Sequence, residues 1–151
     1  MTVVTKENVK DFIGKEAGTS AWIEISQERI NQFADITEDH QFIHINEEAA
    51  KMTPFGGTVA HGFLSLSMLS KFAEGSTLIM DGVKMGVNYG FEKVRFINPV
   101  RAGKKIRGHF SLMDAAEKSP GQWQLKYAVK VEIEGEDKPA LMAEWLTIQF
   151  I

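Results

Sequence analysis

Asp39 and His44 stand five positions apart in the stretch Thr37-Glu38-Asp39-His40-Gln41-Phe42-Ile43-His44-Ile45-Asn46. A carboxylate and an imidazole that face one water molecule form an acid/base pair suited to neutral pH. Full extension would part them by about 17 Å, so both reach one small molecule only if the chain curls between them. The apolar Phe42 and Ile43 suit the anchoring of such a curl. Each group also has a plainer use. An Asp in a loop commonly caps a turn or faces solvent, and His44 stands just ahead of a helix start. Glu38 reads as a solvated charge and His40 as a surface residue. A zinc reading of His40, His44 and His61 is poor, because they do not form the metalloprotease motif. No metal and no other cofactor is expected.

A second element, Phe55-Gly56-Gly57-Thr58-Val59-Ala60-His61-Gly62, leads into a long apolar segment. The first N–H groups of a helix have no partner within it and point at whatever sits there. Glycine lets a ligand approach the backbone closely. Such a place can hold a developing oxyanion, and a thioester carbonyl develops one. The plainer use is that Gly56, Gly57 and Gly62 make turns. The run is neither a dinucleotide-binding glycine motif nor a P-loop.

Other elements must position these groups. Residues 21–25 read as a short strand. Ser26 reads as the N-cap of a helix carrying Arg29, Ile30 and Phe33. From Thr37 to Ile45 no period holds, which predicts a loop. Asn46 is a second N-cap, for a short helix over 47–52, and Pro54-Phe55-Gly56-Gly57 breaks it. Gly62 to Ala73 carries no charge before Lys71 and is apolar in almost every helical direction, which predicts a buried helix. Its length is about 18 Å.

The second half alternates with period two. Val83, Met85, Val87, Tyr89 and Phe91 share one phase, which slips near Gly90 as at a bulge. Ile106, Phe110 and Leu112 alternate next, then Trp123, Leu125, Tyr127, Val129, Val131 and Ile133 without a miss. Residues 135–139 predict a turn, and 140–151 a strand apolar on both faces in places, suited to a central position or a partner subunit. Short connections between long strands make them antiparallel. The expected architecture is α+β, one domain over 1–151: a curved antiparallel sheet wrapped around a long buried central helix, the hot-dog layout.

Composition narrows the function classes. The 151 residues are 44% apolar and 25% charged, with no cysteine and a formal net charge of −3. There is thus no thiol nucleophile and no disulfide. Lys104, Lys105 and Arg107 form the sole basic cluster, read chiefly as a solvated strand end. Nucleic acid is not an expected partner. No apolar run approaches the length that spans a bilayer and the N-terminus lacks a signal-peptide core, so the expectation is a cytoplasmic protein with no membrane partner.

Asp39 and His44 spaced by four residues, then Phe55-Gly56-Gly57, then Ala60-His61-Gly62 opening an apolar helix, resemble the MaoC-like, or hydratase 2, family of (R)-specific enoyl-CoA hydratases. Gln41-Phe42 stands where the commoner form has Asn-Pro, and the variant is most similar to the NodN-like branch. Phe91, Arg95-Phe96-Ile97-Asn98-Pro99-Val100 and Gly103 extend the resemblance to the central strands. It implies a hydro-lyase acting on an acyl thioester carried by CoA or acyl carrier protein, and a homodimer. It implies that Asp39 acts as base towards water while His44 orients the water and protonates the α-carbon. The Gly62 N–H would hold the thioester oxygen, Ser70 would hydrogen-bond Asp39, and Asn88 would line the pocket. His61 would be structural. The competing expectations are a hot-dog thioesterase and a non-catalytic acyl-thioester-binding subunit.

Overall fold

The computed structural model describes all residues, Met1–Ile151. The chain runs through β1 (Thr2–Val4), a 3-10 turn at Val9–Phe12, β2 (Glu16–Thr19), β3 (Ile23–Glu24), α1 (Gln27–Thr37), α2 (Phe42–Ile45) and α3 (Glu47–Lys51). Then come α4 (Gly62–Ser67), α5 (Leu69–Ala73), β4 (Leu78–Met80), β5 (Met85–Phe96), β6 (Lys105–Ser119), β7 (Gln122–Ile133) and β8 (Leu141–Phe150).

Strands β2, β6, β7, β8 and β5 lie side by side in that order, with β3 also on β6. Every pairing among them is antiparallel. Strand β7 buries Trp123, Leu125, Tyr127, Val129, Val131 and Ile133, each at most 5% exposed. Strand β8 is central, between β7 and β5, as its two-sided apolar pattern predicts. Helix α5 packs closely on β6: an added Cβ at Gly108 would lie 2.9 Å from the Phe72 Cβ. This is the hot-dog layout.

Three details depart from expectation. The segment 62–73 is not one helix buried all round: α4 and α5 meet at Met68, and Phe63, Ser67, Ser70 and Lys71 are exposed. The Ser67 hydroxyl donates to the Phe63 carbonyl at 2.7 Å, a back-bond that loosens the helical ladder and favours a bend. The sheet covers only the face with Leu64, Met68, Leu69 and Phe72. Second, the stretch 37–45 is not loop throughout. Phe42–Ile45 makes one helical turn, too short to show a 3.6-residue period. Third, β5 slips register near Gly90 as expected, yet its alternation marks no buried face. Met85, Val87, Tyr89 and Phe91 are 53, 39, 63 and 39% exposed. The N-terminal pairing of β1 parallel to β4 had no signal in the sequence, being a contact between short segments far apart in the chain.

Candidate functional site

The site forms where α1, α2 and the start of α4 converge. Helix α1 starts at Ser26, whose hydroxyl accepts the Arg29 N–H at 3.1 Å, and stops at Glu38 in the left-handed conformation, φ 60°. A side chain at positive φ is strained, and such strain collects at functional sites. Asp39 follows on the four-residue connection 38–41 between α1 and α2, its carboxylate 53% exposed. Its Oδ1 accepts the Gln41 N–H at 3.3 Å. The curl that brings Asp39 to His44 is thus a reversal at Glu38 followed by the single turn of α2.

His44 is 7% exposed. Its Nδ1 lies 2.6 Å from the Val59 carbonyl oxygen. A carbonyl can only accept, so Nδ1 carries the proton and Nε2 keeps its lone pair. Val59 is itself fixed, because its N–H donates to the Ile43 carbonyl at 3.0 Å and it bridges to Arg101. Burial, ahead of the neighbouring His61, holds the His44 pKa below the ordinary 6.5, against the pull of the Val59 hydrogen bond and of Asp39. His44 thus presents a neutral acceptor at pH 7.

His61 is 3% exposed. Its ring stacks on His44 at 3.8 Å and 23° and meets Phe33 of α1 at 4.9 Å. Its Nε2 donates to the Asp39 backbone carbonyl at 3.0 Å and lies 4.0 Å from Oδ2 of the same residue. Asp39, His44 and His61 each bring one ligand-type atom within 4.8 Å of the others. The set does not suit a shared metal ion. Stacked imidazoles aim their in-plane lone pairs side by side rather than at one point about 2 Å from each, and both ring nitrogens nearest the backbone carbonyls are committed to them. A water molecule, which takes bent hydrogen bonds, suits the gap better.

A cavity of about 280 Å³ opens beside this cluster, lined by His44, Phe55, Gly62, Ser65, Phe96 and Pro99 among others. Gly62 opens α4, and neither its N–H nor that of Phe63 donates to any backbone carbonyl. An added Cβ at Gly62 would lie 2.9 Å from the Phe96 ring, so any side chain there would displace that ring. Asp39 and His44 thus stand in one cluster, and His44 shares the cavity with Gly62.

Ser70 and Asn88 do not join them. No hydrogen bond links Ser70 to Asp39. Ser70 is exposed on α5, two turns beyond Gly62 and past the bend at Met68, and lines a separate cavity of about 450 Å³ with Asn88, Tyr127 and Thr147. The serine in the site is Ser65, 3% exposed, which shares a helix face with His61 four residues earlier. His61, expected to be structural, lies against the His44 ring and the Asp39 carbonyl. The signal that pointed to it was an imidazole directly preceding the glycine of the helix start.

Residues 8–135 match the family model described as a MaoC like domain, and the chain belongs to that family. It is 46% identical over 149 residues to "Nodulation protein N" of Rhizobium meliloti (strain 1021), covering 98% of this chain and 92% of that protein. It is 42% identical over 143 residues to "3-hydroxyacyl-thioester dehydratase Z" of Mycobacterium tuberculosis, covering 93% of this chain and 94% of that protein. Its fold is similar to that of an unliganded R-hydratase from Pseudomonas aeruginosa, with a TM-score of 0.72 at 22% identity, over 91% of this chain and 81% of that one.

Proposed function

We propose that the protein is an (R)-specific 2-enoyl thioester hydratase working reversibly as a 3-hydroxyacyl thioester dehydratase. The observation that carries this reading is the His44 imidazole. Its Nδ1–H is tied to Val59 at 2.6 Å, which leaves Nε2 as the acceptor of a ring that lines the cavity with Gly62 and that forms, with Asp39 and His61, a cluster whose ligand-type atoms lie within 4.8 Å of one another. Water sits between the Asp39 carboxylate and His44 Nε2. Its oxygen attacks the β-carbon while Nε2 takes one proton. The imidazolium then returns that proton to the α-carbon. This modifies the expected roles: the pinned tautomer favours His44 as proton acceptor and Asp39 as the group that orients the water. Charge that grows on the thioester oxygen is met by the Gly62 N–H. Run backwards, the same groups expel water. The (R) preference rests on family membership.

The thioester carrier is CoA or acyl carrier protein, and the cytoplasm is where such thioesters would be met. No helix is long and apolar enough to cross a membrane. A homodimer formed along the free edge of β5 would cover Met85, Tyr89 and Phe91, which the single chain leaves exposed. Its test is mass in solution before and after Tyr89→Lys. A dimer that dissociates supports pairing there, and an unchanged mass rejects it.

The functional test follows loss of enoyl absorbance with crotonyl-CoA and longer enoyl-CoAs, beside release of free CoA. The reading expects hydration by the wild type and a loss of about 10²-fold or more in kcat for Asp39→Asn. Release of CoA without hydration would make the protein a thioesterase. A folded wild type that hydrates no enoyl thioester would leave it an acyl-binding subunit.

A further inference from the structure

We propose that His61 is a positioning residue for this site: its Nε2–H holds the Asp39 carbonyl and its ring face holds the His44 imidazole, so one buried side chain sets the spacing of carboxylate and base. The proposal rests on the functional reading above and deepens it.

The need for such a residue comes from how Asp39 is held. Other hydrogen bonds of residues 39–41 are local: Gln41 N–H to Asp39 Oδ1 at 3.3 Å, His40 Nε2 to Asp35 at 2.8 Å, and His44 N–H to the Gln41 carbonyl at 3.0 Å. None of them fixes Asp39 against another part of the fold. The bond from His61 Nε2 at 3.0 Å does, and it comes from the residue that starts the helix leading to Gly62. His61 thereby ties the water-binding carboxylate, the base and the oxyanion donor into one frame. It takes the place in the site expected of Ser70.

Plainer uses of His61 fail on particular observations. It stands at the N-cap of α4, but its side chain makes no cap hydrogen bond, so capping does not explain an imidazole there. It fills space between Phe33 and His44, yet its Nδ1 is buried with no partner. A buried polar atom without a partner costs free energy that an apolar ring of similar shape would not. Packing alone would therefore favour phenylalanine. What phenylalanine lacks is the N–H that reaches Asp39.

The experiment compares wild type, His61→Phe, His61→Gln and His61→Asn. Phenylalanine keeps the ring against His44 and loses the donor. Glutamine places an amide N–H near the Nε2 position, and asparagine is too short to do so. Each variant is checked for near-ultraviolet circular dichroism, assayed for kcat and KM with crotonyl-CoA, and compared by amide ¹H–¹⁵N spectra of residues 38–41. The expected result is a fall of about 10²-fold in kcat for His61→Phe and His61→Asn, the scale of a misplaced catalytic group. KM should stay within about 3-fold. His61→Gln should recover to within about 10-fold of wild type, with unmoved amide signals for 38–41 that shift or broaden in the other two. Equal activity of the Gln and Asn variants would overturn the proposal, as would a folded Phe variant with kcat within about 3-fold of wild type. If His61→Phe does not fold, the Gln and Asn pair decides alone. If wild type hydrates nothing, the functional reading has failed, and the amide spectra still decide whether His61 holds the Asp39 loop.

Discussion

Two of the clusters that pair histidine with a carboxylate are built oppositely. On the outer face of the sheet, His109 Nε2 meets Glu132 at 2.6 Å and its Nδ1 meets the Thr19 hydroxyl at 3.0 Å. The Arg107 guanidinium binds the same carboxylate at 2.7 Å and lies 4.2 Å over the Trp22 ring. Both ring nitrogens of His109 are answered there by the protein. In the inner cluster His44 is answered on one nitrogen only, Asp39 keeps a half-exposed carboxylate, and His61 leaves Nδ1 without a partner. A group already satisfied has nothing left to offer a substrate. A cleft lined by groups held on one side and open on the other can bind water and move protons.

Exchanging the two histidines should separate activity from stability most widely. His44→Ala should lower kcat/KM by about 10²- to 10⁴-fold, as removal of a general base does, with the near-ultraviolet spectrum retained. His109→Ala should leave kcat/KM within about 2-fold. A large activity loss in His109→Ala, or none in His44→Ala, would erase the distinction.

Acid should affect both clusters in separate windows. His44 has a folded pKa below the 6.5 of an ordinary histidine. The unfolded chain therefore takes up a proton from about pH 6.5 downward that the folded site refuses. Stability from this group is present above that value and declines as the pH falls below it. Activity should show an acid limb below pH 6.5, because the protonated ring cannot accept from water. Glu132 is held below the usual carboxylate range, by Arg107 first and then His109. Its contribution is present above pH 4.5 and lost as the pH falls through its folded value. An acid limb in kcat/KM lying above pH 6.5, or none down to the pH at which the protein unfolds, would contradict the assignment of His44 as acceptor.

The smallest expected effect is on the stability of the outer cluster. Its members are about a third exposed, so Glu132→Gln should cost about 1 kcal/mol or less by denaturant unfolding, and less in high salt. A larger cost would mean that the outer cluster is part of the folding core rather than a solvated network.

Much of this was legible before any coordinates. Strand β7 declares itself through six apolar residues in strict alternation, because a strand has period two and one side of it must face the core. The two N-caps at Ser26 and Asn46 were legible for an equally local reason, since each hydroxyl or amide oxygen satisfies an N–H only three residues away. The single turn of α2 was not legible, being shorter than the period that would reveal it. The alternation in β5 was visible, but what covers it was not, because the same pattern serves a strand facing a core and one facing another chain.

The candidate site divides along the same line. Residue types and order marked Asp39, His44 and Gly62 as candidates beside their plainer uses, and the family resemblance singled them out, since the chemistry of acid, base and oxyanion donor is a property of side chains and helix starts. Which serine and which histidine stand with them was decided by the tertiary structure. Ser70 and Ser65 differ by little in sequence, yet Ser70 is exposed and lines a separate cavity while Ser65 is buried in the cavity with His44. His61 was one histidine among four until folding laid its ring on His44 and its Nε2 on Asp39. The tautomer of His44 depends on a carbonyl fifteen residues away, and a contact of that kind exists only once the chain has closed.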